Sequence, residues 1–269
     1  MKSDQRKLSA LIPVLDEAEN LGAFLSNLRA LGVDEIIVAD GGSRDGSDVI
    51  AAHYADVVLH SPKGRGHQIA AAASCATGDI YWIVHCDSTP PVSARADIYA
   101  TLSKPNVVLG TFPVGFGDPH WALPFFEFCS TFDSAFSTFG DQGFFFSAED
   151  YNAIGGAPQV ALFEDVILRK KLKARGSVLK TTSKMGTSPR RFHRHGLFRQ
   201  QLLNAYLIVL FHLGAPPDKL AALYNDFRLY WPLRKPKRLR HPRWPAWRPY
   251  KPRQGAGNAR GSSRLLDRA

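Results

Sequence analysis

The chain has 269 residues, 45% apolar and 22% charged, with a formal net charge of +10. That is enough for one large α/β domain with a sizeable core, and too apolar for wholesale disorder. No apolar run reaches the roughly 20 residues that span a bilayer, the N-terminus lacks the apolar stretch of a secretory signal, and Cys75, Cys86 and Cys129 lack Cys-x-x-Cys spacing. A transmembrane span, a disulfide framework and a zinc knuckle are therefore not expected, and the cysteine usage fits a cytoplasmic, reducing compartment.

The first half alternates short apolar runs with helical segments. Residues 8–12 predict a strand. Residues 17–31 predict a helix with Leu21, Phe24, Leu25, Leu28 and Leu31 on one face and Asp16 as its cap. Strands follow at 35–39, 57–59 and 80–84, with helices at 47–54 and 66–77 between them. This β-α-β order predicts a mostly parallel sheet with helices on both faces. In such sheets ligands bind beyond the carboxyl ends of the strands.

The segments after those strands are polar. They read Pro13-Val14-Leu15-Asp16-Glu17, then Asp40-Gly41-Gly42-Ser43-Arg44-Asp45-Gly46-Ser47, then Lys63-Gly64-Arg65-Gly66, then His85-Cys86-Asp87-Ser88. Each alone reads as a turn. Four opening on one edge point to a ligand site. Neither the Gly-x-Gly-x-x-Gly of dinucleotide binding nor the Gly-x-x-x-x-Gly-Lys of a P-loop follows the first strand.

Farther on, eleven of seventeen phenylalanines fall between Phe112 and Phe146. Residues 121–139 predict a helix whose Phe stripe reads as core, or as an apolar groove suited to a lipid-linked ligand. Glu164 and Asp165 precede an amphipathic helix at 166–174 and suit its positive end. Residues 202–213 are almost wholly apolar and read as core, or as an interfacial helix collared by Arg190, Arg191, Arg194 and Arg199. His193 and His195 lie in the same basic stretch.

The charge is concentrated at the end. Residues 232–269 hold twelve Lys and Arg against one Asp, so the body is close to neutral. This Pro- and Arg-rich tail has no periodicity and reads as extended or disordered. With Trp244, Trp247 and Tyr250 interleaved, it suits a solubilising role or peripheral contact with an anionic membrane on its cytoplasmic face. Nucleic acid is a weaker fit and is not expected as a partner.

The motif order Pro-x-x-Asp-Glu, Asp-Gly-Gly-Ser-x-Asp-Gly, Gly-Arg and x-x-Asp resembles the N-terminal signature of the family 2 glycosyltransferases of GT-A fold. Gly140-Asp141-Gln142-Gly143 and Phe163-Glu164-Asp165 resemble the acceptor-side segments of the same enzymes. The likeness spans about residues 7–230. It is closest to a small bacterial subgroup associated with radical-SAM and selenium-related genes, some of which carry an arsenosugar-biosynthesis label.

The resemblance implies a GT-A domain over 1–231, with a nucleotide-binding half at about 7–112, an acceptor-side half at about 113–231, C-terminal helices and the basic tail at 232–269. It implies transfer from a nucleotide-sugar donor, UDP-linked by preference, to a small-molecule or lipid-linked acceptor, with inversion. Pro13, Leu15, Glu17, Asp40, Gly42, Arg65 and Cys86 would hold the nucleotide. Asp87 would bind Mn²⁺ or Mg²⁺, with His85 standing where the family usually has a first Asp. Asp165 would be the general base, Glu164 would orient the acceptor or that base, and Asp141 and Gln142 would face the donor sugar or the acceptor. The alternative is a basic membrane- or nucleic-acid-binding module on an inactive transferase fold.

Overall fold

The computed structural model describes residues 6–117, 120–187 and 197–230. The predicted tail, and the arginines and histidines at 190–195, lie outside the described residues.

Ten strands and nine helices are described. The main sheet is built from β1 (Leu8–Val14), β2 (Glu35–Asp40), β3 (Val57–His60), β4 (Ile80–Ile83), β6 (Val107–Thr111), β8 (Phe145–Ser147) and β9 (Ser177–Lys180), in the order β3-β2-β1-β4-β8-β6-β9. β8 alone runs antiparallel to its neighbours β4 and β6. A smaller sheet joins β5 (Ser88–Thr89), β10 (Met185–Thr187) and β7 (Val114–Gly115), with β10 in the middle.

Period-two alternation divides the core. Leu8, Ala10, Ile12 and Val14 of β1, with Ile36 and Val38 of β2 and Ile80 and Trp82 of β4, face α1 (Ala18–Ala30), α2 (Ser47–Tyr54) and α4 (Ala94–Leu102). Leu11, Ile37, Ala39, Tyr81 and Ile83 face α3 (Arg65–Cys75), α6 (Ala148–Ala153) and α7 (Glu164–Lys173). On α1 the buried Leu21, Phe24, Leu25 and Leu28 recur at helical spacing. Burying each such side chain contributes about 1.5–3 kcal/mol, against a few tenths for helix propensity, so packing decides this element. Gly110 has to be glycine, because a Cβ there would lie 2.0 Å from the Phe145 ring across the strand pair.

The cap of α1 differs from the expectation. Asp16 adopts φ +55° and accepts instead from the Arg44 N–H at 2.8 Å. The N–H groups of Asp16, Glu17 and Ala18 donate at 2.9 Å to Ser43 Oγ, Ser47 Oγ and Asp45 Oδ2, all in the loop after β2.

The helix expected over 121–139 is shorter. α5 (Leu123–Ser130) stops where Ser and Thr side chains compete for backbone partners. Thr131 Oγ1 donates to Phe128 O at 2.6 Å, and Ser137 Oγ donates to Phe132 O at 2.8 Å. The Phe stripe is not core: Phe125, Phe128, Phe132 and Phe136 are exposed. The last helices are α8 (Leu197–His212) and α9 (Pro217–Tyr230). The core reading of the 202–213 run holds for Leu207 and Ile208 but not for the exposed Leu202, Tyr206, Val209 and Leu213.

At the opposite end of the sheet from the polar loops, Glu35 is buried and accepts from Lys7 Nζ (3.0 Å), Ser9 Oγ (2.5 Å), Thr77 N (2.8 Å) and Thr77 Oγ1 (2.7 Å). Burial alone would raise its pKa; the donors outweigh it and hold the carboxyl at about 2. A depressed folded-state pKa contributes stability above the unfolded value of 4.5, lost as pH falls towards 2. Glu35→Gln is expected to cost about 2–3 kcal/mol in urea unfolding at pH 7. That difference should shrink steadily below about pH 4.5.

Candidate active site

Strand order places the site. β1 has β2 on one side and β4 on the other, so the chain's winding reverses there and the carboxyl ends of β1 and β4 open a crevice. A cleft of about 260 Å³ occupies it, lined by residues from three of the polar loops. Pro13, Leu15 and Glu17 come from the end of β1, Lys63, Arg65 and Gln68 from the β3–α3 segment, and His85, Cys86 and Asp87 from the turn after β4. That turn closes through the Ser88 N–H donating to His85 O at 3.0 Å, and Ser88 starts the small sheet. The volume is near the lower end of the roughly 300–1,000 Å³ of small-molecule sites.

Gln68 had no signal in the sequence, yet it secures two strand tips. Its buried amide donates to Val14 O at 2.7 Å and Ala39 O at 2.9 Å. The Cys86 thiol is pushed up by burial and by the nearby Glu17 and Asp87, so it stays a thiol.

Asp40 and Gly42 do not line the cleft. Asp40 is buried and accepts from the Gly42 and Ser43 N–H groups, each at 3.0 Å, and from the Ser43 hydroxyl. His60 Nδ1 lies 3.5 Å away. Burial raises the Asp40 pKa, but these donors win and the net shift is downward. The carboxylate shapes its own loop.

Predicted site residues from the far half of the chain also come to Arg65. Arg65 Nη1 lies 3.9 Å from Glu164 Oε1, and its side chain is 42% exposed. Burial opposes the Arg65 charge, but the fields of Glu164, Asp165, Asp87 and Asp141 outweigh it and raise its pKa. Of the predicted site carboxylates, Glu164 is the one in ion-pair range of this guanidinium. Asp165 is fixed by two backbone donors, Gly140 N at 2.7 Å and Val166 N at 2.8 Å, which tie the Gly140–Gln142 turn to α7. Glu164 and Asp165 both lie in the first turn of α7, which starts two residues earlier than predicted. A small buried pocket between Glu164, Asp165, Gly140 and His85 links them to the cleft wall.

Two side chains have unusual protonation. Burial, then the charge of Asp165, pushes Glu164 up to about 7, with Arg65 opposing. Lys180, which the sequence reading missed, donates to Gln142 Oε1; burial pulls it down to about 7 against the pull of Asp133 and Asp141. Nothing local distinguishes Lys180 from any strand-end lysine, so only the fold reveals it.

A mostly parallel sheet whose polar cleft opens at the ends of β1 and β4 defines an α/β fold of the GT-A type. Residues 9–148 match the family model "Glycosyl transferase family 2", and the chain belongs to that family. No curated protein is similar enough in sequence to count as a relative. Among solved structures, a glucosyl-3-phosphoglycerate synthase from Mycobacterium tuberculosis, in complex with Mn²⁺, UDP and glucosyl-3-phosphoglycerate, superimposes with TM-score 0.56 at 16% identity, over 76% of this chain and 78% of that one. A mannosyl-3-phosphoglycerate synthase from Rubrobacter xylanophilus gives TM-score 0.53 at 18% identity, over 89% and 79%. Likeness at this identity establishes the GT-A fold.

Glu164 also makes a stability prediction. Its folded-state pKa lies above the unfolded 4.5, so ionised Glu164 weakens the fold and stability falls as pH rises from about 4.5 to about 7. Glu164→Gln is expected to raise Tm at pH 8 and to leave it nearly unchanged at pH 4, read by thermal melts at both values.

Proposed function

We propose that this chain transfers a glycosyl group from a nucleoside-diphosphate sugar, UDP-linked by preference, to an acceptor hydroxyl, by one displacement that inverts the anomeric carbon. The observation that carries the reading is that Arg65, which lines the β1/β4 cleft together with Asp87, lies 3.9 Å from Glu164 at the start of α7, so the strand-tip loops and the far half of the chain meet at one site. Family membership supports the reaction class. Fold neighbours crystallised with UDP and Mn²⁺ or Mg²⁺ support the donor and cofactor classes. The narrower subgroup likeness rests on the Asp-Gly-Gly-Ser, His-x-Asp and Gly-Asp-Gln-Gly motifs alone.

The donor set suits a hard divalent cation held partly by substrate. Among the described residues no three His, Cys, Asp or Glu side chains form a metal cage. One carboxylate at the cleft wall, Asp87, with His85 beside it, matches an ion that takes its other ligands from phosphate oxygens and water. Such an ion, when bound, offsets the negative charge that develops on the leaving diphosphate.

The chain's own groups do the rest. Pro13, Leu15 and Glu17 flank the base and ribose, with Gln68 keeping the strand tips in register. Lys63 and Arg65 meet the diphosphate, where a guanidinium fork suits two oxygens at once. The acceptor hydroxyl lies beside α7. Its oxygen forms the new bond to the anomeric carbon as the carbon–oxygen bond to the diphosphate breaks, and its proton passes to the Glu164–Asp165 pair. Glu164, held at about 7, is well matched to accept a proton at neutral pH.

Calorimetric titration with UDP, with and without Mn²⁺ and with GDP as control, tests the donor site. UDP is expected to bind with Mn²⁺, and Asp87→Asn to weaken that binding by at least about tenfold. No nucleotide binding by protein that melts cooperatively overturns the assignment. Once a donor is found, kcat/KM is expected to rise with pH through about 7. Glu164→Gln should flatten that limb.

A further inference from the structure

Among the described residues, nine of the twelve large apolar side chains left exposed fall on two segments. Trp121, Phe125, Phe128, Phe132 and Phe136 occupy residues 121–136 and are 54–77% exposed. Leu202, Tyr206, Val209 and Leu213 lie on and just after α8 and are 45–78% exposed. The two segments are neighbours, because the Phe136 ring stacks on His212 at 5.6 Å. Both are anchored from behind. Leu123 and Phe126 of the α5 segment pack with Ala122 and Phe116, while Leu207 and Ile208 of α8 are buried. The face is therefore held rigidly while its aromatic side points outward. Exposed patches of this kind mark interaction sites.

We propose that this face docks on an anionic bilayer, with the 232–269 tail supplying contacts to the lipid headgroups. Charge argues for that occupant. The acids within residues 121–136 are both neutralised: Glu127 pairs with Lys184 at 2.7 Å, and Asp133 pairs with Arg169 and Lys173, each at 2.6 Å. α8 carries no acidic residue. The tail, which follows α9 directly, brings twelve Lys and Arg against one Asp, interleaved with Trp244, Trp247 and Tyr250. Exposed aromatic rings in a chain that also carries a basic segment match the interface, where the apolar part enters the acyl boundary and the cations meet anionic headgroups. No helix among the described residues is long and apolar enough to cross a membrane, so the contact is on the surface. Phe211 of α8 packs on Phe163, the residue before Glu164, at 5.1 Å, so a docked bilayer lies on the acceptor side of the cleft. This last consequence alone rests on the transferase reading.

Vesicle flotation of the full chain tests the proposal, with phosphatidylcholine vesicles and vesicles that also contain phosphatidylserine. The protein is expected to float with the phosphatidylserine vesicles, less so as salt rises. Phe125→Gln combined with Phe128→Gln changes two exposed rings and should leave the fold intact. It is expected to cut partitioning by at least about tenfold, with UDP binding and Tm unchanged. Failure of the parent to float, or floating unchanged in the variant, overturns the proposal. If the parent self-associates without lipid and the variant is monomeric, a second copy covers the face. If the variant exposes its tail to trypsin faster than the parent does, with flotation unchanged, the tail covers it. Either result also overturns the bilayer assignment, and neither touches the nucleotide site.

Discussion

The three backbone N–H groups that open α1 must find acceptors, and the chain supplies them from 27 to 30 residues away. Ser43, Asp45 and Ser47 reach across from the loop after β2, and Asp16 returns the bond to Arg44. The helix start is therefore satisfied only when β1 and β2 are paired in register. Asp40 completes the arrangement by folding its own loop back on itself. A cluster of polar residues at strand tips thus serves as the scaffold on which the wall formed by Pro13, Leu15 and Glu17 stands.

Two buried glutamates show how position decides chemistry. Glu35 is surrounded by hydroxyls, an amide and Lys7, and is held down at about 2. Glu164 is buried beside another carboxylate and is pushed up to about 7. The first stabilises the end of the sheet that does no chemistry. The second lies in the first turn of α7 beside Arg65, where its ionised form weakens the fold.

The parallel part of the sheet was legible because each strand is a continuous apolar run and each helix repeats apolar residues at 3–4 spacing. β1 to β4 and α1 to α3 lie within about two residues of the expected bounds. The Phe-rich middle misled for a physical reason. Its spacing is helical throughout, but the hydroxyls between Ser130 and Thr138 capture local carbonyls and end the helix early. β8, Phe145–Ser147 at the end of a run of phenylalanines, inserts antiparallel between β4 and β6 with no local mark of its direction. At the site, the sequence marks acids at strand tips but not where their lone pairs go. Asp40 turns inward, while Asp87 lines the cleft. Gln68 and Lys180 act through partners 29 to 54 residues away, which local pattern does not carry.

The first turn of α3 meets the acceptor-side loop at Gly66, where an added Cβ would lie 2.1 Å from Pro158 O. The nearest atoms are backbone, Pro158 O and C and Val160 N, so the approach constrains residue 66 itself. A side chain there would push the 158–160 loop off the first turn of α3, one residue from Arg65, and a single methyl group would thereby widen the gap between the two halves of the chain.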